Sequence, residues 1–123
     1  PARAPRSEAA YRPAAGVRPA VEQRRRVYRI VQESIINVTR HAKADHAGVL
    51  VVFDEHEVNI LVEDDGCGFD VDATLNKMGH PSWGLLGMKE RAALVGGECV
   101  ILSTPGAGTL IQVCMPLVKE TNG

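Results

Sequence analysis

This chain of 123 residues has no Gly-x-x-x-x-Gly-Lys-Ser/Thr segment, which excludes a P-loop enzyme. It has no Gly-x-Gly-x-x-Gly after a β-rich run, which argues against a dinucleotide fold. No apolar run reaches the length of a membrane span, and no signal peptide is expected. The cysteines Cys67, Cys99 and Cys114 are odd in number and lack paired metal-ligand spacing, which fits a reducing cytoplasm. His41, His46, His56 and His80 are scattered without ligand spacing, and no segment repeats. Aromatic residues are few, at 4%, and do not interleave with most of the N-terminal arginines. That stretch therefore reads as a solvated arm before it reads as a nucleic-acid surface.

What is present is unevenly distributed. The formal charge of −1 conceals eight arginines against two glutamates in residues 1–30, a balance of +6, with −7 on the remainder. Residues 1–20, rich in Ala, Pro and Arg, read as a linker or disordered arm. The first residue is Pro, so the chain is expected to be a piece of something longer. The body is expected over residues 21–118, with a tail at 119–123.

Val27, Val31, Ile35, Val38 and Ala42 recur at helical spacing, which predicts a helix from about Glu22 to Ala42 with that stripe buried. Glu33, Asn37 and Arg40 fall on nearly the opposite face. Val49–Phe53 and Val58–Glu63, joined by the polar turn Asp54–Glu57, predict an antiparallel hairpin with Val58, Ile60 and Val62 on one side. An irregular stretch from Asp70 to Trp83 precedes a second helix marked by Leu85, Met88, Ala92 and Val95 and stopped at Gly96-Gly97. Glu98–Ser103 and Thr109–Met115 flank a last turn. Helix, hairpin, loop, helix, hairpin predicts an α+β two-layer sandwich, with helices on one face of a mainly antiparallel sheet.

Three constellations can carry chemistry. Glu33 and Asn37, at i and i+4, project from one patch of the first helix. An Asn oxygen suits Mg²⁺, a Glu can order a water or accept a proton, and Arg40 one turn on can offer charge to phosphate. A solvated helix face would look the same. Asp64-x-Gly66-x-Gly68 follows a strand; its carboxylate only accepts hydrogen bonds, so it can take adenine's amino hydrogens and reject guanine's oxygen. An acidic turn at a strand end is the plainer reading. Gly84-x-x-Gly87 opens the second helix, where free N–H groups and missing side chains suit a phosphate, and the loop before it is long enough to be a lid. Gly106-x-Gly108-Thr109 is a hairpin turn whose threonine can offer a hydroxyl to a base.

In this order, the segments resemble the catalytic and ATP-binding domain of bacterial sensor histidine kinases, in the GHKL superfamily. Tyr28–Ala42 resembles the N box, Val62–Asp70 the first glycine box, Trp83–Ala92 the second, and Pro105–Thr109 the last glycine turn. The wording Arg29-Ile30-Val31-Gln32-Glu33 and Gly87-Met88-Lys89-Glu90-Arg91 is similar to the branch of nitrate sensors and DesK. The likeness runs from about Val21 to Leu117. It implies a Bergerat-type ATP-binding fold, with ATP and Mg²⁺ as ligands. Asn37 would ligate Mg²⁺, with Glu33 as the acid beside it and Arg40 or His41 approaching phosphate. Asp64, Gly66, Gly68 and Thr109 would form the adenine side, while Gly84, Leu85, Leu86 and Gly87 would bracket the lid and its helix.

The implied reaction passes the γ-phosphoryl of ATP to a histidine on a dimerisation domain, with a response regulator served through the parent protein. None of the four histidines sits in an acceptor motif, so this chain alone is not expected to complete the transfer. The strand that ordinarily precedes the first helix is hard to find in Ala14–Ala20, and Pro81-Ser82-Trp83 departs from the usual lid wording. Direct contact with nucleic acid or membrane is not expected, and the fragment is expected to be monomeric. A GHKL serine kinase or ATPase, or a non-catalytic nucleotide module, remain the alternative readings.

Overall fold

The computed structural model describes residues 6–37, 43–68 and 85–120. Five strands and two helices run in the order β1 (Arg6–Pro13), α1 (Val21–Asn37), β2 (His46–Phe53), β3 (Glu57–Asp64), α2 (Leu85–Leu94), β4 (Glu98–Ser103) and β5 (Thr109–Pro116). The sheet order is β1-β2-β3-β5-β4; β1 and β2 are parallel and every other pairing is antiparallel. This is the expected α+β arrangement on a mixed, mainly antiparallel sheet.

Period-two alternation builds the core as rows across the sheet. Phe53, Val58 and Met115 form one row; Val51, Ile60, Val113 and Cys99 the next; Val49, Val62, Ile111 and Ile101 the third. All eleven are buried, together with Val27 and Ile30 of α1 and Met88 and Ala92 of α2. α1 lies over β3, and α2 over β4 and β5. The opposite sheet face keeps Leu50, Leu61 and Leu110 only half-buried, and Val100 and Leu102 exposed.

The turn between β2 and β3 closes as the sequence suggests: the Asp54 carboxylate accepts the N–H groups of His56 and Glu57, both at 2.7 Å. Those bonds hold its pKa below the ordinary value. α2 ends at Leu94, and past it the Gly97 N–H returns to the Ala92 carbonyl at 2.8 Å.

Three expectations need correction. Residues 1–20 are not simply an arm, because Arg6–Pro13 pairs with β2 through Arg6↔His46 to Pro13↔Phe53. The missing first strand is therefore present, upstream of Ala14–Ala20. Nor does the tail begin at 119: Lys119 bridges Pro19, and the Glu120 N–H donates to the Arg18 carbonyl at 2.9 Å.

The third concerns α1, whose buried residues are Gln23, Val27, Ile30 and Ser34, with Val31 half-buried and Ile35 42% exposed. At 3.6 residues per turn each i+4 step drifts about 40°, so Ile35 lies about 80° from Val27 while Ser34 lies about 20° away. Glu33 consequently sits on the flank of the buried arc, half-buried, rather than on the opposite face. Val38, Ala42 and the loop from Asp70 to Trp83 lie outside the described residues.

Candidate nucleotide site

A fourth row continues the three apolar ones on the same, helix-facing side of the sheet. It consists of Ala47, Asp64, Thr109 and Ser103, paired as Ala47↔Asp64↔Thr109↔Ser103. At this end of the sheet the inward positions change from aliphatic to carboxylate and hydroxyl. The Ser103 and Thr109 hydroxyls are 2.9 Å apart, and Ser103 Oγ donates to the Gly108 carbonyl at 2.8 Å. Thr109 is buried. A hollow of about 580 Å³ opens here, lined among others by Asp64, Ser103, Thr104, Gly108 and Thr109.

Asp64 ends β3, and its Oδ1 accepts the Gly66 N–H at 2.8 Å. Partial burial pushes its carboxyl pKa up; the Gly66 bond opposes that, and the neighbouring Asp65 charge adds to it. With Oδ1 engaged, Oδ2 is the oxygen left to meet a ligand's donor. The turn after Asp64 is pressed against the β4–β5 turn, where the Gly106 N–H donates to the Cys67 carbonyl at 2.5 Å. Two glycines permit that approach. Gly68 has φ +63° and Gly108 has φ +77°; a β-carbon would collide with the Thr104 carbonyl in the first case and the Asp64 carbonyl in the second.

A clip at the start of β2 holds the same turn. Asp65 Oδ1 accepts the N–H groups of Asp45 and His46 at 2.9 and 2.8 Å, and Oδ2 lies 2.9 Å from His46 Nδ1. These bonds lower the Asp65 pKa.

On the helix side, Glu33 Oε2 accepts a 2.6 Å charge-assisted bond from Arg91 Nη1 of α2. That bond is the main cause raising the Arg91 pKa. Gly87 is the third residue of α2, and a β-carbon on it would lie 3.9 Å from Arg91 Nη2. Of the expected site residues, Glu33, Asp64, Gly66, Gly68, Gly87 and Thr109 are thus placed on the helix–sheet unit. Asn37, Leu85 and Leu86 are placed by their backbone as the last residue of α1 and the first two of α2. Arg40, His41 and Gly84 lie outside the described residues.

Sequence reasoning missed Ser103, Asp65 and Arg91 as members of this neighbourhood. Closing the β4–β5 hairpin around Thr104–Gly108 would have set Ser103 opposite Thr109. Nothing in the local sequence joins Arg91 to Glu33. A second hollow of about 600 Å³, on the outer sheet face, is lined by aliphatic residues and glycine with Glu63 as the one titratable group, and gathers no chemistry.

The chain belongs to the family of histidine kinase-, DNA gyrase B- and HSP90-like ATPases, whose model matches residues 22–119. Within that family, proteins similar to it include sensor histidine kinases. An uncharacterized sensor-like histidine kinase of Chloroflexus aurantiacus is 42% identical over 93 residues, 74% of this chain and 16% of that protein. The sensor histidine kinase LiaS of Bacillus subtilis is 38% identical over 97 residues, 79% of this chain and 26% of that protein. The chain thus spans about a quarter or less of these relatives. A blue-light activated histidine kinase of Erythrobacter litoralis shares the fold at TM-score 0.64 and 22% identity, over 90% of this chain and 35% of that one.

Proposed function

We propose that this chain is the ATP-binding catalytic domain of a two-component sensor kinase. It would bind Mg-ATP and donate the γ-phosphoryl to a histidine on a dimerisation domain outside this chain. The observation that carries this reading is the polar row: a half-buried carboxylate, Asp64, with one free oxygen beside a buried threonine hydroxyl at the lip of a hollow. Such an acceptor-only group can take the 6-amino hydrogens of adenine, where guanine carries an oxygen at the same ring position.

In the transfer, the bond from the γ-phosphorus to its bridging oxygen breaks as a P–N bond to the histidine ring forms. ADP departs, and Glu33 accepts the proton that the ring sheds. The glycine-bearing start of α2, with Gly84, Leu85, Leu86 and Gly87, would offer N–H groups to the phosphates, with Arg40 or His41 adding charge.

Among the described residues no group of three or more His, Cys, Asp or Glu is placed to hold a metal. In this reading Asn37 would give one amide oxygen to an ion that shares its ligation with phosphates and water. Magnesium would supply charge neutralisation there.

The Arg29–Glu33 and Gly87–Arg91 wording supports assignment to the nitrate-sensor/DesK-like branch. We place the domain in the cytoplasm, serving a response regulator through its parent and touching neither nucleic acid nor membrane directly. Among the described residues no helix is long and apolar enough to cross a membrane.

The test is transfer of label from γ-labelled ATP to a histidine-bearing dimerisation domain, supplied separately. Labelling of the histidine, abolished by Glu33→Ala with ATP binding intact, is expected. Labelling of serine, or no labelling despite bound ATP, contradicts the reading.

A further inference from the structure

Arg91 joins two parts of the site that the chain keeps 58 positions apart. Its Nη1 donates to Glu33 Oε2 at 2.6 Å, and its Nη2 stands 3.9 Å from where a β-carbon on Gly87 would be. The guanidinium therefore lies between the acid of α1 and the first turn of α2.

Both partners are partly solvated, with side-chain exposures of 49% for Arg91 and 36% for Glu33. An ion pair in that setting contributes little to stability. What it does supply is direction. A glutamate on a helix flank turns about three side-chain bonds, and a single short bond to a planar, permanently charged donor restricts it to one arrangement. Other charged groups nearby leave this pair alone: Lys89, two residues before Arg91, gives its ammonium to the Cys99 carbonyl at 3.0 Å. Glu33 and Arg91 form no other ion pair among the described residues.

We propose that Arg91 is the positioning residue for Glu33: it holds the carboxylate where the acceptor's proton must arrive, and so acts on the transfer step rather than on ATP affinity. This rests on the reading of Glu33 given above. It also ties the acid to α2, the helix into which residues 69–84 lead, so that the acid's position depends on the seating of α2.

The test is a double-mutant cycle on the full chain, reading ATP affinity by calorimetry and single-turnover transfer to the supplied dimerisation domain. Arg91→Met is expected to slow transfer by about 10- to 100-fold, the usual cost of a misplaced catalytic group. The ATP dissociation constant should stay within about twofold, because uniform binding is untouched. Arg91→Lys should recover part of the rate. The double variant Glu33→Gln/Arg91→Met should transfer no more slowly than Glu33→Gln alone, since Arg91 then has nothing to hold.

Multiplicative losses in the double variant, an unchanged rate in Arg91→Met, or a rate that falls only in step with ATP affinity or melting temperature would each overturn the proposal. If Glu33→Gln itself transfers at the parent rate while binding ATP, the assignment of Glu33 fails, and that outcome is separate from the other three.

Discussion

Asp64, the residue proposed to meet adenine, carries a cost to the fold. Its carboxyl pKa is raised above the ordinary 3.8, chiefly by burial. The folded chain holds the proton more tightly than the unfolded one, so the ionised group destabilises the fold. That cost is absent below pH 3.8 and complete above the folded pKa. Asp64→Asn keeps an oxygen for the Gly66 N–H and removes the charge. Without nucleotide it should melt at or above the parent temperature at pH 7, the gap closing as pH falls toward the ordinary aspartate value. ATP affinity should nonetheless fall by at least about tenfold, because an amide nitrogen would then face adenine's amino group, donor against donor. Thermal melts at several pH values and one binding isotherm check both halves. A variant clearly less stable than the parent at pH 7 contradicts the argument.

Among the elements, α1 is the most informative. Its amide Gln23 is buried at 4% exposure, donating from Nε2 to the Pro116 carbonyl and accepting the Val118 N–H on Oε1, both at 2.8 Å. That side chain ties the start of α1 to the end of β5. Gln23→Leu would strand both backbone groups, and a loss of about 1–3 kcal/mol is expected. Urea unfolding should show a lower midpoint at unchanged slope. The helix itself was legible from its apolar spacing, yet the rotation was not. A reading by hydrophobicity favours Ile35 over Ser34, whereas the geometry of the turn buries Ser34, its hydroxyl bonded to the Ile30 carbonyl at 2.8 Å. The hairpins were legible because Val58, Ile60 and Val62, and likewise Ile111, Val113 and Met115, alternate strictly. Strand β1 was not, since Arg6–Pro13 contains arginine, alanine and proline where strands usually carry branched residues. Its identity comes from parallel pairing with a distant segment, which no local pattern announces. The candidate site divides the same way: the motifs that hold Asp64, Gly66, Gly68 and Thr109 are visible in the sequence, while the Arg91–Glu33 bond exists only in three dimensions.

For the molecule as a whole, the sheet is one surface whose inward side passes from three apolar rows to a polar row at one end. The apolar rows fix the register, because a slip of one residue would turn the slipped strand's inward side chains to the outer face. The position of Asp64 beside Thr109 is thus enforced by the core. Strand β1 belongs to that surface: it covers the edge of β2, and the Tyr11 ring packs on Phe53 with centroids 5.3 Å apart. A chain beginning at Ala14 should exchange the amides of Val49–Phe53 faster, with those of β3 and β5 less affected. Equal protection with and without residues 1–13 would contradict the pairing.

The central claim, that this polar end of the sheet holds adenine nucleotide, is tested most directly by calorimetric titration of the full chain. ATP would be used with and without Mg²⁺, GTP would be the control, and Asp64→Ala the variant. Saturable binding of ATP but not GTP, lost in Asp64→Ala, is the predicted result. Equal affinity for ATP and GTP, or ATP binding that survives the loss of Asp64, would contradict it.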